Sequence, residues 1–179
     1  MKTCRHCGKE FAPARPLQAV CSPKCARAAT VVAKKAAKAS ERASTKARRE
    51  KLKTRQDWAR EAQAIVNKYV RMRDWWRGCI SCDKGHGWDG QWHASHFRSV
   101  GAASALRFNL WNIHKSCSVC NNWKSGNLAE YLPRMVERFG QDRVDWLMAQ
   151  NQLADYSVDY LQRLKSVMGK RLKRLEGKL

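Results

Sequence analysis

The sequence predicts an α+β fold, mostly helical, organised on two zinc-binding cysteine modules. Three observations carry this. Eight cysteines fall into four close pairs. The stretch between the last two pairs is short and polar, with Trp, His and Asn where a larger domain would place aliphatic core. The flanking segments are either free of helix breakers or carry apolar residues at helical spacing.

Cys79-Ile80-Ser81-Cys82 and Cys117-Ser118-Val119-Cys120 suit one tetrahedral zinc, each pair supplying two vertices and the chain between them folding back. Inside that loop stand His93-Ala94-Ser95-His96 and Asn112-Ile113-His114. Knuckles gripped by metal hold such polar residues in a rigid site without a large apolar core.

Composition narrows the partner. With 36 Lys and Arg against 15 Asp and Glu, the net charge of the 179 residues is +21. Such an excess points to a polyanion, nucleic acid before an anionic membrane surface. No apolar run approaches the roughly 20 residues of a membrane span. The N-terminus shows no signal segment, because motif residues begin at Cys4. The protein is read as cytosolic, where paired cysteines serve metal rather than disulfides.

Residues 1–25 form an N-terminal finger. Cys4 and Cys7, then Cys21 and Cys25, make a second zinc pattern in a segment too short to fold without metal. Ser22-Pro23 is expected to open a short helix carrying Cys25. Residues 26–55 are rich in Ala, Lys and Arg with no apolar stripe, which predicts a solvated basic helix or arm. Lys34, Lys35, Lys38, Arg42, Arg48 and Arg49 in it are expected to bind DNA phosphates, against the plainer reading of a soluble linker.

Residues 56–140 are read as the central domain. Trp58, Ala62, Ile65, Tyr69 and Met72 or Trp76 recur at helical spacing and are assigned to core, the helix ending at Gly78. A second helix runs from Leu128 to Phe139 with Leu128, Leu132, Met135, Val136 and Phe139 on one side and Asn127 as cap; Pro133 suggests a true start near Leu132. Residues 141–179 add a short helix around Val144–Met148. A last helix, capped by Ser157, carries the stripe Val158, Leu161, Leu164, Met168, Leu172 and Leu175. That stripe needs a partner, the body of the protein or a second subunit.

Phosphodiester hydrolysis needs an activated water, charge stabilisation on phosphorus and help for the leaving oxygen. A neutral histidine can supply the first, and one divalent metal the other two. The order C-x2-C, His, Asn, C-x2-C resembles the HNH endonucleases, a ββα-metal fold on a treble-clef zinc module. More narrowly, Arg107-Phe108-Asn109-Leu110-Trp111-Asn112-Ile113-His114-Lys115, with Cys117 to Asn121 and Lys124 to Leu128, resembles the phage lambda NinG family, also called Rap. The likeness extends to the N-terminal finger, the basic arm and Arg71-Met72-Arg73-Asp74.

That resemblance implies a phage-encoded recombination nuclease of the bacterial host cell, acting on branched DNA such as Holliday junctions and D-loops. Two symmetric nicks imply a homodimer, with the last helix as candidate contact. Cys79, Cys82, Cys117 and Cys120 would hold structural zinc. His96 would be the general base, Asn112 would orient it through the hairpin backbone, and His114 is a further catalytic candidate. Asn121 stands where a closing His is usual, and with His93 would ligate a catalytic magnesium or manganese. Ser95 replaces the usual ligand before the base; His93, two residues back on the same strand face, could serve instead. An alternative makes His96 the ligand and His93 or His114 the base. Arg98, Arg107, Lys115 and Lys124 are candidate DNA contacts. Two readings compete with the nuclease: a non-catalytic zinc-stabilised DNA-binding protein, and an RNA-binding finger protein.

Overall fold

The computed structural model describes residues 1–178. About half of them are helical, with two small antiparallel sheets, and the chain divides into two compact units, residues 1–53 and 54 onward.

In the first unit, β1 (Lys2–Thr3) pairs with β2 (Glu10–Phe11) around the turn that carries Cys4 and Cys7. Gly8, at φ 73°, makes the left-handed turn after the knuckle, where a side chain would strain the backbone. Helix α1 (Pro23–Lys51) starts where the sequence signals, with Pro23 in its first turn and the Ser22 hydroxyl accepting from the Cys25 N–H at 3.2 Å. It does not stop after Cys25. The expected short helix and the basic arm are one continuous helix, so residue 25 is no boundary. No residue of α1 is buried, which is what a helix without an apolar stripe must do.

In the second unit, α2 (Arg55–Arg73) opens on a reciprocal capping box between Thr54 and Asp57. It ends at Arg73 rather than Gly78, because Asp74 turns inward. Strands β3 (Trp92–His96) and β4 (Ile113–Cys117) pair as a hairpin, followed by a single π-helical turn (Val119–Trp123). Then come α3 (Leu128–Phe139), α4 (Gln141–Ala149) and α5 (Val158–Glu176). The hairpin lies between two helical layers. On one side Trp58, Ala59, Ala62, Val66 and Val70 of α2 pack with Ile113, Phe108, Leu161 and Met168. On the other, Tyr131 and Met135 of α3 pack with Phe97, Leu106, Val144 and Leu147.

Several expected faces shift. The α2 core stripe is centred on Trp58, Ala62, Val66 and Val70, leaving Trp76 half exposed. Helix α3 begins at Leu128 with Pro133 inside it, on the exposed side of the helix. Asn127 lies at φ 51° and makes no cap; its amide instead donates to the Ser81 carbonyl at 2.6 Å. The α5 stripe is covered by α2 of the same chain, flanked by Lys165–Glu61 and Lys68–Glu176 pairs, each at 2.7 Å. That stripe is therefore not a free dimer surface. Helices α4 and α5 belong to the same unit as the hairpin.

Candidate functional site

Each cysteine set converges. Cys4, Cys7, Cys21 and Cys25, and separately Cys79, Cys82, Cys117 and Cys120, have their sulfurs within 4.8 Å of one another. Sulfur–sulfur separations of 3.6 Å for Cys7–Cys21 and Cys21–Cys25, and 3.8 Å for Cys82–Cys117, match the roughly 3.8 Å edge of a tetrahedron with Zn–S near 2.3 Å. Backbone N–H groups already aim at the sulfurs: Cys117 N–H donates to Cys79 Sγ at 3.2 Å and Cys120 N–H to Cys117 Sγ at 3.4 Å. Burial raises the Cys79 thiol, but the Ser116 hydroxyl and the Cys117 and Ser81 N–H groups outweigh it and hold it at about 7. In the first unit the Cys7 backbone N–H leads in lowering Cys4 to about 6, whereas the Cys25 sulfur leads in pushing Cys21 up to about 12. Each tetrad could hold a zinc ion.

Alternation along the hairpin sorts the polar residues. Ser95 pairs with His114 and His93 with Ser116, so these four share a face. On that face Asn121, delivered by the π-helical turn, donates from Nδ2 to His93 Nδ1 at 3.1 Å. Ser125 and Asn127 have positive φ and flank Gly126 at φ 90°. This run closes on the knuckle through Gly126 N–H to Cys120 O at 2.8 Å, and a side chain at 126 would meet Ser95 Oγ at 3.8 Å.

His96 closes the strand. Its Nε2 lies 2.9 Å from the Arg107 carbonyl, an acceptor only, so Nε2 carries the hydrogen and Nδ1 the lone pair. Burial lowers its pKa, the Arg107 carbonyl opposing, so the ring is neutral at pH 7. Asn112, fully buried, accepts from the Arg98 N–H at 2.8 Å and donates to the Arg98 and Leu106 carbonyls at 3.0 and 3.2 Å. It thereby fixes the loop whose next residue, Arg107, holds His96.

Other candidates are displaced. His114 is fully buried: its Nδ1–H donates to the Tyr131 hydroxyl at 3.0 Å, and that hydroxyl donates to the Ser95 carbonyl at 3.1 Å. Its Nε2 lone pair has no donor among the described residues, and burial lowers its pKa to about 3. It braces α3 against the hairpin through Tyr131. Lys115, expected on DNA, is buried and donates to the Trp75 and Arg77 carbonyls at 2.9 and 2.8 Å, over the Trp92 ring. Arg107 is half buried with its Nε on Gln63. Arg98 donates to the Met148 carbonyl and Asn151. Lys124 and the six basic residues named on α1 are exposed.

Sequence reasoning missed the buried charge cluster. Asp74, 1% exposed, accepts from Arg73 at 2.6 and 3.0 Å and from Arg138 at 2.9 Å. Burial raises its carboxyl, but the two guanidiniums outweigh that and hold it below the usual range. Arg73 also donates to the Leu110 and Ile113 carbonyls, tying α2 to the start of β4. The Arg73-Asp74 dipeptide was the available signal.

Comparison with known proteins bears on the whole arrangement. Residues 1–178 match the family described as Bacteriophage Lambda NinG protein. The chain belongs to the NinG family. It is 39% identical over 132 residues to protein ninG of Escherichia phage lambda, covering 74% of this chain and 64% of that protein. Protein ninG of Escherichia phage 933W matches at 39% over 74% of this chain and 65% of its own length, and that of Salmonella phage P22 at 39% over 73% and 63%. The chain thus spans less than two thirds of these relatives. No solved structure matches it. Among the described residues, no helix is long and apolar enough to cross a membrane.

Proposed function

We propose that the protein is a metal-dependent DNA endonuclease of the HNH type, hydrolysing phosphodiester bonds in branched recombination intermediates such as Holliday junctions and D-loops. The observation that carries the reading is the His96 imidazole, neutral and locked by the Arg107 carbonyl in the tautomer that leaves Nδ1 as base. Such a group can take a proton from water as the water attacks phosphorus. Asn112 positions it by clamping the 98–112 loop. His93 and Asn121, 3.1 Å apart, offer a ring nitrogen and an amide oxygen after a flip of the amide. A bound magnesium or manganese ion would polarise the phosphoryl oxygen and stabilise the leaving oxygen. Lys124 and the α1 cations would meet neighbouring phosphates. Resolution of a four-way junction would use two copies, joined through a surface other than the α5 stripe.

A non-catalytic, zinc-stabilised DNA-binding protein is the second reading. Its support is that Asn121 and Ser95 stand where a closing His and a ligand before the base are usual, and that among the described residues His93 belongs to no group of three or more His, Cys, Asp or Glu that could hold a metal.

The test compares a labelled four-way junction with linear duplex, in magnesium, manganese or neither, for wild type and His96→Ala. The expected result is metal-dependent cutting near the branch, lost in His96→Ala while binding persists. Tight junction binding without cuts in either metal would favour the second reading.

A further inference from the structure

Beside His96, at the end of β3, a cavity of about 340 Å³ opens between the hairpin, α3 and α4. Its walls include His96, Arg98, Ala102, Leu128, Leu132 and Met148. Leu128, Leu132 and Met148 are 51%, 41% and 46% exposed. Their exposure stands out because the neighbouring apolar strips of this unit are covered: Tyr131 and Met135 by the hairpin layer, the α5 stripe by α2. The volume falls at the small end of the roughly 300–1,000 Å³ typical of sites for small organic groups. The walls are held in place. Arg98 Nη1 donates to the Met148 carbonyl and Nη2 to Asn151 Oδ1, at 2.8 and 2.7 Å. Ser125 on the opposite wall is fixed at φ 48° by the turn that closes the zinc knuckle.

We propose that this groove takes one unpaired nucleobase of a branched or distorted DNA. The inference rests on the nucleic-acid reading above and adds how a branch would be told from plain duplex. The chain carries a net charge of +21, and Lys124 is exposed next to wall residue Ser125. Charge complementarity therefore selects a polyanion over an apolar peptide. The apolar part of a nucleic acid is the base face. In duplex it is sealed in the stack, and extruding it costs a few kcal/mol, least where pairing is already broken. Leu128, Leu132 and Met148 give that face van der Waals contact, while Arg98, Ser99 and Ser125 of the walls meet its polar edge. A base seated there brings its own phosphate beside His96.

The test uses the full zinc-loaded chain without added divalent metal or chelator, so that no strand is cut. The probes are a duplex with one central unpaired 2-aminopurine and the same duplex fully paired. Wild type should bind the unpaired form about tenfold or more tightly, with a change in 2-aminopurine fluorescence. Leu132→Asp puts a carboxylate in the groove and Ala102→Phe fills it. Both positions are exposed, so folding is spared. Both variants should lose the preference and the fluorescence change while binding paired duplex within about twofold of wild type. Retained preference in both variants, or none in wild type, would overturn the proposal. So would a concentration-dependent dimer that Leu132→Asp dissociates, because a second copy would then occupy the groove. Junction cutting with no base preference would sink the groove alone. Base preference without any cutting would sink the nuclease and leave the groove.

Discussion

His114 shows what burial does to an imidazole between two basic side chains. Its folded pKa of about 3 lies below the ordinary value near 6.5. Between those values the unfolded chain binds a proton that the folded chain refuses. The stabilising contribution is therefore full above about pH 6.5 and is lost as pH falls toward about 3, at up to about 1.4 kcal/mol per pH unit. The depressed Asp74 carboxyl works in the same direction, its contribution being present above about pH 4 and lost below it. Urea unfolding at pH 7 and pH 5 should show a clear loss for wild type and a smaller one for His114→Phe. Equal losses would mean that His114 is protonated in the fold. Asn112 is the other decisive residue. Asn112→Ala leaves the Arg98 N–H and the Arg98 carbonyl without their partner, while the Leu106 carbonyl keeps the Asn109 N–H, at roughly 1–3 kcal/mol for each buried group left unpaired. The measurement is the urea midpoint, and a change under about 0.5 kcal/mol would deny the clamp.

Among the elements, α1 and the hairpin should depend on metal differently. Helix α1 buries nothing, so its N-terminus is anchored by the first tetrad and by little else. Elemental mass spectrometry should find two zinc ions per chain, and Cys25→Ser should leave one. The second unit, with apolar layers on both sides of its hairpin, should keep its thermal transition in that variant. A fall in its midpoint together with the loss of the first zinc would contradict the division into two units. Cys79→Ser should instead remove the zinc that seats β4 and the π-helical turn, and collapse the His93–Asn121 pair with it.

At the scale of the whole molecule, the proposed DNA binding should be governed by charge. With +21 net charge, DNA affinity should fall steeply and linearly with salt on logarithmic axes, because bound phosphates release counterions. Replacing Lys34, Lys35 and Lys38 with Gln should shallow that slope by up to about 3, roughly 0.9 for each phosphate no longer neutralised. An unchanged slope would make α1 a solvated helix and nothing more. The same substitutions should not alter a preference for unpaired bases, which belongs to the other unit.

The sequence by itself determined the two cysteine tetrads, the helical segments, the family and the excess charge. These are legible because ligand spacing, propensity and composition are local properties. Cys79-x-x-Cys82 specifies a knuckle wherever it is placed, and Ser22-Pro23 specifies a helix start. Only the tertiary structure decided which polar residues face outward. His96 and His114 look alike in the sequence, yet strand alternation and the Tyr131 hydroxyl bury one, while the Arg107 carbonyl sets the tautomer of the other. Lys115 reads as a DNA contact until Trp75 and Arg77 turn their carbonyls toward it. The α5 stripe asks for a partner, and only packing names α2. Leu128 and Leu132 share a helical face with core residues by spacing, but the hairpin covers Tyr131 and Met135 instead and leaves them at the rim of a groove. Burial is a property of what packs against a residue, and those neighbours are distant in the chain.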